Sequence, residues 1–236
     1  MANYNYLCCL DYETGGKNAS NTQAMSMACC IIDPVRLEIV SNGDFYSLIR
    51  ADFDEETCLK NGVEVPSDEA MNITGITREQ SEAAPSWQEV HNRFETHIKK
   101  FWTGNSVWKA PLFCGFNSMG YDLTILNRAC EKWGSFDKEY KKNALFHPIH
   151  FIDVLNLMFL TTESKKGWFS LSLDTLRNTM GITKEGAHNA LTDVRHTSAI
   201  LIRWLRWFRK NSAKLALEDS FKDLDILDFY DTRPIE

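Results

Sequence analysis

The sequence predicts an α/β fold: a mixed five-stranded sheet covered by helices on both faces. Three observations carry that expectation. Strand-like apolar runs follow one another closely over the first 50 residues, helical periodicity dominates from residue 86 onward, and two further strand-like runs are interleaved with those helices. Short early connections favour antiparallel pairing, and helix-separated later strands favour parallel pairing.

Residues 4–12 read as the first strand. Residues 25–32 form a second apolar run, ended by Asp33-Pro34, and residues 45–50 a third, after the turn signal Ser41-Asn42-Gly43-Asp44. Together they suggest an antiparallel meander. Residues 51–85 hold no clear strand and read as a covering loop with short helical turns. Residues 86–102 read as an amphipathic helix, with Ser86 as N-cap and Glu89 completing a capping box. Its apolar stripe is Trp87, Val90, Phe94, Ile98, Phe101 and Trp102. Residues 111–116 are the fourth strand and 123–133 the next helix, while 138–142 read as charged and solvated. Residues 149–154 are the fifth strand, with 155–160 a short helix or its continuation. A short helix over 172–180 closes at Gly181, and the last helix runs from about Asn189 to Lys210. Residues 1–210 therefore read as one domain and 211–236 as an acidic tail.

The chain has 236 residues, 44% of them hydrophobic, enough for a sizeable core. A net charge of -6 argues against a broad basic surface that coats nucleic acid by charge alone. A narrow acidic site reaching phosphates through bound metal remains compatible with it. The seven cysteines are odd in number, show no CxxC spacing, and several sit inside apolar runs. They read as reduced core residues of a cytoplasmic protein. The polar start shows no signal peptide, and no apolar run approaches a membrane span.

The first strand ends in Asp11-Tyr12-Glu13-Thr14-Gly15. Side chains alternate along a strand, so Asp11 and Glu13 point the same way, with Cα atoms roughly 6–7 Å apart. Like charges that close need a counter-charge, and oxygen ligands suit hard cations such as Mg²⁺ or Mn²⁺. An Asp-x-Glu alone equally fits a polar strand end running into a turn. Further partners come from two later segments. Phe116-Asn117-Ser118-Met119-Gly120-Tyr121-Asp122 carries a carboxylate to a helix start, where it also complements the helix dipole. In Gly186-Ala187-His188-Asn189-Ala190-Leu191-Thr192-Asp193, a loop His188 and a helical Asp193 converge if Asn189 caps the helix. Four carboxylates and a histidine are the inventory of a two-metal phosphodiester site, with the histidine as base.

These segments resemble the DEDD superfamily of 3′–5′ exonucleases in its histidine-bearing branch, which includes polymerase proofreading subunits, ribonuclease T, oligoribonuclease and the TREX nucleases. Asp11-x-Glu13 with Thr14-Gly15 matches the first motif. Asn117, Tyr121-Asp122 and Leu126 match the second, and His188-x-Ala190-x-x-Asp193 the third. Ile73-Thr74-Gly75-Ile76-Thr77 resembles the family's loop over the terminal nucleotide. The resemblance implies a ribonuclease H-like fold and two Mg²⁺ or Mn²⁺ ions held by Asp11, Glu13, Asp122 and Asp193, with His188 as the catalytic base. It implies release of nucleoside 5′-monophosphates from single-stranded or 3′-frayed nucleic acid. DNA is the favoured substrate, and RNA trimming is the alternative. A silent nucleic-acid-binding or polymerase accessory module is the reading of another class.

Tyr12, Thr14, Thr74, Ile76, Asn117 and Tyr121 are the candidate substrate contacts. Core packing is the plain alternative for Ile76 and Tyr121, and helix capping for Asn117. Lys165, Lys166, Trp168 and Phe169 form a basic-aromatic cluster able to guide a single strand, or a solvated loop with two buried rings. Asp153 reads as structural support. Asp223-Leu224-Asp225-Ile226-Leu227 faintly resembles a sliding-clamp peptide, which would give the tail a replication partner.

Overall fold

The computed structural model describes residues 4–162, 171–182 and 189–212. The predicted base His188, the cluster 165–169 and the tail beyond 212 lie outside these residues.

The sheet is built on β1 (Leu7–Thr14). β1 pairs antiparallel with β2 (Ala24–Asp33), which in turn pairs antiparallel with β4 (Phe45–Leu48). This is the expected meander. On its other side β1 pairs parallel with β5 (Leu112–Gly115), and β5 pairs parallel with β8 (Phe151–Asp153). One strand was not expected: β3 (Glu38–Ile39) pairs with Ile32 and Asp33 at the far end of β2. The sheet thus has six strands where five were predicted, although β3 and β4 share one edge of β2. Asp33 makes the extra strand possible. Its Oδ1 accepts from the Val35 and Arg36 N–H groups, and its carbonyl from Leu37, folding the chain back at once. A two-residue strand is too short for alternation to reveal it.

Alternation along β1 divides the core. Cys8, Leu10 and Tyr12 face α4 (Trp87–Lys99) and α5 (Asp122–Trp133), packing with Val90, Phe94, Ile98, Ile125 and Leu126. Leu7 and Cys9 face α6 (Val154–Thr162), α7 (Leu173–Thr179) and α8 (Ala190–Ser212), packing with Met158, Leu176, Val194 and Leu201. Helices therefore cover both faces, and all ten residues of β2 are buried. The seven cysteines are buried and free. Asp11 and Glu13 continue the row of Leu7 and Cys9, so they open toward α7 and α8.

Between β4 and α4 the chain forms α1 (Glu55–Asn61), α2 (Asp68–Thr74) and α3 (Arg78–Glu82), capped by Asp54, Ser67 and Thr77. The covering segment is thus helical in short turns, as expected. Ser86 caps α4 by accepting from the Glu89 N–H. The stretch predicted as solvated belongs to a small hairpin of β6 (Phe136–Asp137) and β7 (Lys142–Asn143). Among the described residues no helix is long and apolar enough to cross a membrane.

Candidate metal centre and the adjoining cleft

Asp11 and Glu13 stand at the end of β1, and α8 carries Asp193 over them in its first turn. The helix lies there because Val194, Ile200 and Leu201 sink into the core on that face. Asn189 starts it, its Oδ1 accepting from the Leu191 and Thr192 N–H groups as a cap does. Asp11, Glu13 and Asp193 each offer a carboxylate oxygen within 4.8 Å of the other two.

Asp122 approaches from the other side, at the start of α5. Its Oδ1 accepts from the Tyr12 N–H at 3.0 Å, between the two carboxylates of β1. The β1–β5 pairing ends at Cys9 and Cys114, so β5 supplies no acceptor to this N–H. Asp122 takes that role and so reaches the pair along the edge of β1. It stands outside the close group of three.

Asp153 holds the turn that aims Asp122. Its carboxylate accepts from the Asn117, Ser118 and Leu155 N–H groups at 3.0–3.1 Å. Asn117 is exposed and left-handed (φ 55°), a conformation asparagine tolerates. The tight turn also needs Gly115, where a Cβ would come within 2.1 Å of Ser118 Oγ. Asp153 therefore supports structure, as expected. Asp153→Ala would strand the buried Ser118 N–H and two part-buried donors, and is expected to destabilise the fold by about 1–3 kcal/mol, read by chemical denaturation.

Burial and crowding together set the electrostatics, burial first. Burial, then Asp122, Glu13 and Asp193, push the Asp11 carboxyl well above the usual range, and among the described residues Arg177 opposes them. Burial, Asp193 and Asp122 push Glu13 up to about 8. Burial pushes Asp122 up to about 7, against the Tyr12 N–H that favours its charged form. An all-oxygen donor set with excess negative charge fits a hard divalent cation.

Beside the acids lies a cleft of about 440 Å³, lined among others by Glu13, Thr14, Gly15, Ile73, Thr74 and Tyr121. The Thr14 and Tyr121 hydroxyls are 2.6 Å apart, and both reach the Gly16 carbonyl. Gly15 lets the opposite wall approach, since a Cβ there would sit 2.8 Å from Pro66 Cα. Tyr12 contributes to the wall while its ring packs in the core on the opposite face of β1.

Two predicted contacts stand elsewhere. Asn117 does not line the cleft. Ile76 is 7% exposed and packs on Met25 and Ala51. The reason is Gly75, whose left-handed φ of 68° ends α2 and turns the chain inward. Ile73, 50% exposed, lines the cleft in its place. Sequence reasoning also missed Arg177, buried at 1% exposure and hydrogen-bonded to Asp193. A signal for it existed: Arg177 shares a helical stripe with Leu173, Leu176 and Met180.

A family model described as Exonuclease, of the RNase T type, matches residues 8–201. No curated relative matches the chain. Among solved structures, the fold is similar to E. coli exonuclease I in complex with a dT13 oligonucleotide: TM-score 0.65, 17% identity, 89% of this chain and 43% of that one. Exonuclease I of Methylocaldum szegediense matches with TM-score 0.65 and 22% identity, over 89% of this chain and 42% of that one. A full-length 3′-exonuclease matches with TM-score 0.62 and 18% identity, over 88% and 84%. At these identities the likeness is one of fold. The chain spans less than half the length of the exonuclease I chains.

Proposed function

The chain belongs to the RNase T-type exonuclease family of divalent-metal-dependent nucleases, and on that premise we propose a 3′–5′ exonuclease of the histidine-bearing DEDD branch. It removes nucleoside 5′-monophosphates from the 3′ end of single-stranded nucleic acid, DNA in preference to RNA. Residues 1–210 form its catalytic domain. The observation that carries the reading is the convergence of Asp11, Glu13 and Asp193 oxygens within 4.8 Å, beside a cleft. The preference for DNA draws on E. coli exonuclease I, whose structure contains a dT13 oligonucleotide.

Asp11, Glu13, Asp122 and Asp193 would hold two Mg²⁺ or Mn²⁺ ions. Such ions supply Lewis acidity that activates water and neutralises charge developing on the phosphodiester. His188 takes the proton from the attacking water, a role suited to a group that titrates near neutrality. The cleft receives the terminal nucleotide. Thr14 and Tyr121 fix its polar side, and Thr74 and Ile73 offer the opposite wall. Contacts of this kind tolerate any base, as an end-trimming enzyme requires.

Oligonucleotides labelled at either end test the reading, as DNA and as RNA, with Mg²⁺, Mn²⁺ or EDTA. The expected result is metal-dependent release of labelled mononucleotide from the 3′ end of DNA, stopped by EDTA. Faster release from RNA would move the assignment to RNA trimming. Binding without cleavage at any metal concentration would leave a nucleic-acid-binding module. Ile73→Ala is expected to raise KM by about threefold to tenfold with kcat nearly unchanged, because it removes apolar contact and no charge.

A further inference from the structure

Arg177 is an arginine in an apolar position. Its neighbours on that stripe of α7 are Leu173, Leu176 and Met180, all packed with the core beneath α8. A buried cation persists only where anions meet it. Nη1 donates to Asp174 Oδ1 at 2.8 Å, and Nη2 donates to Asp193 Oδ1. Asp174, one turn earlier on the same helix, is 43% exposed, whereas Asp193 is 15% exposed. The guanidinium is planar and rigid, so anchoring Nη1 fixes the direction of Nη2.

We propose that Arg177 is a positioning residue for the cation site: its fork holds Asp193 Oδ1, fixing the carboxylate for cation binding. The inference rests on the reading of Asp193 as a cation ligand given above. Held in this way, Asp193 keeps a carboxylate oxygen within 4.8 Å of those of Asp11 and Glu13. The guanidinium also brings positive charge to Asp11, where the other acids of the cluster act against ionisation. A latch joining α7 to α8 for stability alone would use the same contacts but would leave metal affinity untouched.

Mn²⁺ binding to the metal-free full chain, read from the electron paramagnetic resonance of the free ion, separates the two. Thermal midpoints and the kcat and KM of oligonucleotide cleavage accompany it. Arg177→Lys keeps the charge and loses the planar fork. It is expected to weaken Mn²⁺ binding by about 10–100-fold and to lower kcat, with KM for the oligonucleotide unchanged. Asp174→Asn releases the anchor from an exposed position and is expected to weaken Mn²⁺ binding by about threefold or more. Asp193→Asn is the control on the underlying reading and should lose the affected site. Wild-type Mn²⁺ affinity in folded Arg177→Lys and Asp174→Asn, with loss in Asp193→Asn, overturns the role of Arg177 and leaves the exonuclease reading standing. Wild-type affinity and cleavage in Asp193→Asn overturns the reading itself. Should Arg177→Lys fail to fold, Asp174→Asn decides alone, and wild-type affinity there overturns the proposal.

Discussion

Asp11→Ala is expected to lower kcat for 3′-end cleavage by about 10³-fold or more, while the metal-free variant melts no earlier than the wild type. The two halves of this result come from one cause. Asp11 lies at the centre of the acidic cluster, and Asp122, Glu13 and Asp193 all oppose its charge. Removing it takes away a ligand that the proposed chemistry needs. The same change relieves repulsion among the carboxylates that remain, so the fold loses no net stabilising contact. An ordinary buried aspartate behaves in the opposite way. Asp153, which satisfies three backbone donors, should lose stability when truncated. Thermal midpoints in EDTA, paired with single-turnover rates in Mg²⁺, check both halves. An inactive Asp11→Ala protein that also melts several degrees lower would count against the ligand role, because Asp11 would then be holding structure.

The site was legible wherever one local rule decides a side chain's direction. Alternation along β1 puts Asp11 and Glu13 on one face, and it did so here. Asn189 starts α8 as a cap, which sets Asp193 in the first turn. Asp153 reads as support because the resemblance already accounts for four carboxylates, and the three N–H groups on it give the local reason only in the structure. The rest depended on positions that no local rule fixes. In Ile73-Thr74-Gly75-Ile76 either isoleucine could face the cleft, and the left-handed turn at Gly75 decides it. Asp122 reaches the pair only because β5 stops short of Tyr12, and strand ends are set by pairing partners. β3 spans a single two-residue period, too short for alternation to repeat and reveal it. Arg177 was visible as a charge on an apolar stripe, yet its partner Asp193 lies 16 residues away on another helix.

The acidic cluster should also invert the usual pH dependence of stability in the metal-free protein. Glu13 is pushed up to about 8 in the folded chain by burial and its acidic neighbours, against an ordinary value of 4.5. Between these values the folded state holds a proton that the unfolded state has released. The associated stability is complete below the lower value and is lost as pH rises through the upper one. Asp122, pushed up to about 7, and Asp11, pushed higher than usual, act in the same direction. His91, His147 and His196 have lowered values and act the other way, but their effect ends near their ordinary value of 6.5. Cys29, lowered to about 7, also acts the other way above that pH, whereas His97, raised, acts with the acids. From about pH 6.5 to 8.5 the raised carboxylates outnumber Cys29, and in EDTA the melting temperature should fall across that window. Glu13→Gln removes one of the titrating groups and should flatten the fall. Saturating Mg²⁺ should flatten it as well, because a bound cation stabilises the ionised carboxylates that protonation otherwise spares. A Glu13→Gln protein with the wild-type slope in EDTA would mean that burial and the neighbouring acids do not hold the Glu13 proton in the folded chain.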